Sequence, residues 1–214
     1  MSIARVYTAQ PEVLSGTIVT IEADLSKGLH SFSIVGLAGK AIEEAKDRVS
    51  AAIKNSGFKS PKSTNHKIII SLAPADLKKD GPLFDLPIAI AYLMAAGEIE
   101  TDVSDILLLG ELALDGTLRA GPGILPAVQS ANKAGYKEVI VPKDNAAEAA
   151  LVDSVNVIPA QDLNEVINHL DKKRETHQII NKQENTNIPA TWRQSDIALE
   201  LSLIHISEPT RPLH

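Results

Sequence analysis

Alternating apolar and polar side chains open the chain. Ile3-Ala4-Arg5-Val6-Tyr7, and then residues 17–23, in which Ile and Val alternate with Thr and Glu, carry the two-residue period of half-buried strands. Lys27-Gly28 marks a turn, and residues 30–35 read as a third strand. The period changes at Gly36 and Gly39. Over residues 41–55, Ile42, Ala45, Val49, Ala52 and Ile53 share one helical face, while Glu43, Glu44, Lys46 and Asp47 share the other, and Gly57 stops the helix. Residues 67–72 alternate too little for a surface strand and are placed centrally in a sheet. Residues 86–96 are apolar nearly all round and predict a buried helix ending at Gly97. A buried strand follows over 106–114, with Asp115-Gly116 as a hairpin signal into 117–119. Helix over 125–133 capped by Gly135, strand over 138–141, short helix over 145–151, strand over 155–158 and amphipathic helix over 161–170 complete the pattern. The elements predict an α/β (α+β) domain, a mixed sheet with packed helices.

The pattern closes near Lys172. From there to Ala190 the chain is rich in Asn, Gln and Lys, the composition of a linker. The expected organisation is a domain over 1–172, a polar linker and approach to a further module over 173–199, and a tail over 200–214. The stretch from Leu201, LSLIHISEPTRPLH, continues no pattern and resembles translated sequencing-adaptor DNA. It is set apart as non-native, with the natural protein expected to continue beyond about Leu199; a genuine short tail is the alternative.

Aromatic residues make up 3% of the chain against 44% apolar residues, so the core must be built from Ile, Leu, Val and Ala. Cysteine is absent, which excludes a disulfide framework and any Cys-based zinc or redox centre, and fits a reducing cytosol. A net charge of −6 disfavours nonspecific phosphate binding by the chain as a whole. Locally, Lys54, Lys59, Lys62 and Lys67 gather around residues 55–66, a basic patch that also reads as solvated surface. The N-terminus lacks the basic flank and apolar core of a secretory signal, and no apolar stretch reaches the roughly 20 residues that span a bilayer. A cytoplasmic protein without membrane contact is expected.

Three places invite a chemical reading. Gly36-Leu37-Ala38-Gly39-Lys40-Ala41 has the Gly-Lys of a phosphate loop, but Ile34 and Ala41 stand where that loop needs Gly and Ser or Thr, so it reads as a tight strand-to-helix bend. Gly121-Pro122-Gly123 with Arg119 could cradle an anion at a helix N-terminus, or simply start the helix. The six histidines lack ligand spacing, and no metal or cofactor site is expected. The third place is residues 71–87, SLAPADLKKDGPLFDLP, where Lys78, Lys79, Asp80 and Asp85 crowd one turn between two core elements. Asp85 is expected to cap the following helix, with Pro87 in its first turn.

Several motifs together carry a resemblance: Ser33-Ile34-Val35-Gly36-Leu37, Ala45-Lys46-Asp47-Arg48-Val49, Leu72-Ala73-Pro74-Ala75-Asp76-Leu77, Phe84-Asp85-Leu86-Pro87-Ile88-Ala89 and Gly110-Glu111-Leu112. The chain resembles the N-terminal domain of the magnesium-chelatase-like AAA+ ATPases, the ComM/YifB family, from Met1 to about Asp196. The resemblance implies a fold like the Lon proteolytic domain and ribosomal protein S5 domain 2. In Lon the corresponding turn reads like Asp-Gly-Pro-Ser-Ala-Gly, with serine as nucleophile and a later lysine as base. Here Asp80-Gly81-Pro82 match, Leu83 takes the serine position, and the lysine position falls near Leu125. Neither half of a Ser-Lys dyad survives, so no catalytic residue is expected. Asp80, Gly81, Pro82, Leu83, Asp85, Pro87, Gly110 and Glu111 remain as a structural motif. The resemblance implies a hexameric parent ATPase that uses ATP and Mg2+, self-associates through a module beyond this domain, and acts on DNA in branch migration during recombination and natural transformation. Residues 190–197 look like the approach to that module, and this segment alone is expected not to hydrolyse ATP. A Lon-like peptidase with a displaced nucleophile, or a subunit of a magnesium chelatase, are the competing readings.

Overall fold

The computed structural model describes residues 3–171; the expectations for the linker, the approach to a further module and the tail lie outside the described residues. In chain order the elements are β1 (Ala4–Pro11), β2 (Gly16–Lys27), β3 (Ser31–Val35), α1 (Lys40–Asn55), β4 (His66–Ala73), α2 (Asp85–Ala95), β5 (Ile106–Leu108), β6 (Glu111–Leu112), β7 (Leu118–Arg119), α3 (Ile124–Ala134), β8 (Glu138–Pro142), α4 (Ala146–Ala149), β9 (Asn156–Ala160) and α5 (Leu163–Leu170). Seven strands form one sheet in the order β3-β4-β2-β1-β5-β8-β9, and β6 pairs with β7 as a separate hairpin. The β1–β2 and β2–β4 pairings are antiparallel and the other four are parallel, so the sheet is mixed, as the pattern predicts.

Coverage of the two sheet faces explains the two kinds of strand sequence. One face packs α1, α2 and α5 over Val19, Ile21, Ile68, Ile70, Leu72 and Leu108. The other packs α3 and α4 over Ala9, Leu107, Leu109, Val139, Val141 and Val157. Strands β5 and β8 lie under both layers and are apolar at every inward position, whereas β2 and β4 alternate because only one face of their far halves is covered. Strand β4 is interior, as expected, but sits next to the edge strand β3. Helix α2 is buried from Asp85 through Leu93, which is why its sequence shows no polar face.

The run 106–114 is not one strand. Leu109 still donates its N–H to Ile140 O of β8 (3.0 Å), but at Gly110 both backbone groups turn to the preceding segment: its N–H donates to Leu83 O (3.1 Å) and its carbonyl accepts from Leu86 N (3.0 Å). A Cβ at Gly110 would lie 2.7 Å from Leu118 Cδ2, so a larger residue at this crossing would have to displace the end of the Leu118 side chain.

Candidate functional site

The turn after β4 is built around a buried lysine. Lys79 has no exposed surface, and its ammonium donates to Gly36 O (2.9 Å), Leu72 O (3.1 Å) and Pro74 O. Burial lowers its pKa, with Asp76 opposing. Its backbone is tied to the same loop: Lys79 N donates to Leu37 O (3.1 Å), and Gly39 N donates to Lys79 O (2.7 Å). Lys79 thus staples the bend before α1 to the turn before α2. Gly36 and Leu37 have φ of 105° and 55°, and a Cβ on Gly36 would meet Leu72 O at 2.1 Å, so that bend depends on glycine.

The next residues turn back toward the sheet. Asp80 N donates to Gln10 Oε1 (2.7 Å), Gly81 N donates to Asp80 Oδ1 (3.0 Å), and Gly81 adopts φ 105°. Pro82–Phe84 form a single 3-10 turn that buries Leu83 at 3% exposure. The Leu83 side chain fills the space beside the loop before α3: a Cβ on Gly121 would lie 2.8 Å from Leu83 Cδ2. Where a nucleophile and its substrate would need room, a leucine packs against backbone. Ser71 stands within β4, in register with Glu22 and Val35, and not in the turn.

Asp85 does not cap α2 through its side chain; no side chain caps that helix, and Phe84 is the residue before it. The fully buried Asp85 carboxylate instead receives a two-pronged contact from Arg48 of α1, Nε to Oδ2 at 2.8 Å and an Nη to Oδ1 at 3.0 Å, plus Leu112 N at 3.3 Å. Arg48 also donates to Ala41 O (3.1 Å). Burial pushes the Asp85 pKa up to about 6, against the opposing pull of Arg48. A carboxylate inside a helix that is apolar all round has no route to solvent, and a guanidinium on the neighbouring helix supplies what an amide cap would have supplied. Pro87 lies in the first turn of α2, as expected. Glu111 faces Arg119 across the β6–β7 hairpin at 3.5 Å.

The loop 121–123 holds no open anion cradle. Glu148 Oε1 accepts from Leu125 N (3.1 Å), and Asn145 brackets the Gly121 peptide by accepting from its N–H (3.0 Å) and donating to its carbonyl (3.1 Å). The chain's own carboxylate occupies the helix N-terminus. The four loop lysines divide: Lys54, Lys59 and Lys62 line a cavity of about 460 Å3, while Lys67, next to the inward-facing Ile68, points to the other face of the sheet.

The turn therefore joins Asp80, Gly81, Pro82, Leu83, Asp85 and Gly110 through backbone and ion-pair contacts, with the Lys79 ammonium held by carbonyls at its base. Sequence reading missed Arg48, the Lys79 cage and the Asn145–Glu148 pair. A signal for Arg48 exists, since it flanks the apolar face of α1 within Ala45-Lys46-Asp47-Arg48-Val49. None marks Lys79, whose partners are all carbonyls.

The model of a family described as subunit ChlI of Mg-chelatase matches residues 21–145. Competence protein ComM of Haemophilus influenzae is 42% identical over 79% of this chain and 33% of its own length. The uncharacterized protein YifB of Escherichia coli is 41% identical over 81% of this chain and 34% of its own. Lon protease of Leptospira interrogans is 32% identical over 62% of this chain and 16% of its own. The chain spans about a third of the length of ComM and YifB. The matched region runs from β2 to the turn before α4 and takes in the whole scaffold of Lys79, Leu83, Asp85 and Gly110. By that match the chain belongs to the Mg-chelatase ChlI-like family, with ComM and YifB among its relatives.

Proposed function

We propose that this chain is the non-catalytic N-terminal module of a ComM/YifB-like AAA+ ATPase, a cytoplasmic hexameric motor that drives DNA branch migration during recombination of incoming DNA. ATP and Mg2+ are bound by a separate module, which also holds the hexamer together. The observation that carries the reading is the 42% identity to a competence protein along most of this chain, joined to a protease-like turn in which Leu83 is packed shut. The test is the gene around this segment. A reading frame that continues into a P-loop module, and whose product hydrolyses ATP in response to branched DNA, is expected. A product without DNA-stimulated ATP hydrolysis would sink the reading.

The identity to Lon favours a second reading, a peptidase with a displaced nucleophile. It requires casein cleavage that disappears with Ser71→Ala. Leu83 at 3% exposure, and the absence of a lysine at position 125, argue against it. No cleavage at high protein concentration removes it.

A further inference from the structure

We propose that the end of the domain remote from the Asp80-Gly81 turn binds the phosphate backbone of duplex DNA, with Lys54, Lys59 and Lys62 as its contacts; this rests on the reading that the parent protein acts on DNA. Charge is segregated along the chain. Between Asp47 and Asp76 the charged residues are Arg48, Lys54, Lys59, Lys62 and Lys67, with no carboxylate among them, in a chain whose net charge is −6. Arg48 is spent on Asp85, which leaves the lysines for the surface.

The fold gathers three of these lysines around one concavity. The last turns of α1 and the segment 58–63 enclose the cavity of about 460 Å3, and Ser50, Ala51 and Phe58 form part of its wall. The segment is held in place by Phe58 N donating to Ile53 O (3.1 Å), Ser60 Oγ to Ser50 O (3.1 Å), Ser63 Oγ to Ser60 O (2.8 Å) and the Tyr92 hydroxyl to Lys59 O (3.4 Å). The lysine backbones are thus positioned before any ligand arrives. Lys54 and Lys59 make no ion pair among the described residues, and Lys62 meets Asp47 at 2.6 Å, the single carboxylate in the wall.

Ligand class follows from the donors. Lysine is a point charge that suits phosphates without fixing register, whereas planar carboxylate recognition favours arginine, and the wall has none. The carbonyl end of α1 also points this way, so its dipole repels anions and the ammonium groups must supply the attraction.

The experiment is fluorescence anisotropy of a short labelled duplex titrated with this chain. With three phosphate contacts, affinity should fall roughly 40-fold between about 50 and 200 mM salt. The variant K54Q/K59Q/K62Q should lose the binding and its salt dependence while keeping the thermal midpoint. Asp47→Asn should bind more tightly, because it removes the repelling carboxylate and frees Lys62; a merely structural role would not give that gain. Unchanged binding in the triple variant, no gain with Asp47→Asn, or equal competition by a poly-glutamate peptide would each overturn the proposal. If the triple variant binds normally while the full-length product still shows DNA-stimulated ATP hydrolysis, this surface is discarded and the DNA-motor reading stands. If neither form of the protein responds to DNA, both fall.

Discussion

Leu83 is a core residue at a position that a serine would make reactive. It is 3% exposed and packs against the Gly121 backbone, so Leu83→Ser removes apolar contact and leaves a hydroxyl among Ile124, Leu109 and their neighbours. A loss of about 2–4 kcal/mol in urea unfolding is expected. The variant should still not cleave casein, because position 125 offers no base; measurable turnover would refute the structural reading of this turn. Asp85 makes a second prediction, in its pH dependence. Its folded pKa of about 6 lies above the ordinary 3.8, so the folded state holds the proton more tightly than the unfolded chain does. The neutral carboxyl therefore contributes stability that is full below about 3.8 and is lost as pH rises through about 6. Relative to Asp85→Asn, the native chain should lose stability across that window and then level off. Arg48→Ala, which strands the buried carboxylate, should cost about 3–5 kcal/mol at neutral pH.

Elements were legible from the sequence wherever a local rule decides them. The face of α1 built on Ile42, Ala45, Val49, Ala52 and Ile53 is its buried face, and Asp115-Gly116 does turn the β6–β7 hairpin. Helix α5 starts two residues later than its amphipathic pattern, for a reason the sequence also held. Asp162 caps it by accepting from Glu165 N (2.9 Å), and Glu165 reaches back to Gln161 N (2.7 Å). Asp162→Ala should cost about 1 kcal/mol in thermal or urea melts. Most of the illegible features join segments far apart in the chain. The break at Gly110 is set by Leu83 and Leu86, and the N-terminus of α3 is filled by Glu148 of α4. The Lys79 ammonium serves carbonyls on both sides of α1. No period or spacing encodes such contacts, because each partner looks ordinary in its own neighbourhood.

For the molecule as a whole, a nucleotide site would register in global stability. Any ligand that binds only the folded state raises unfolding free energy by about 2.7 kcal/mol at a hundredfold excess over its Kd. In a chain of this size that is a rise of several degrees in Tm. Gly39-Lys40 is the place where such a site would be sought, and tertiary structure closes it. A Cβ on Gly39 would lie 2.6 Å from Asp80 Oδ1, so a carboxylate stands where phosphate oxygens would sit. The Gly39 amide is already committed to Lys79 O, and Lys40 faces Glu44 at 3.7 Å on the surface. Phosphate would meet a negative charge and no free amide at Gly39. Millimolar MgATP should therefore leave the Tm of this chain unchanged in differential scanning fluorimetry, whereas a full-length product carrying an ATPase module should be stabilised. A rise of several degrees with this chain alone would locate nucleotide binding within the domain and undo its assignment as the non-catalytic part of a motor.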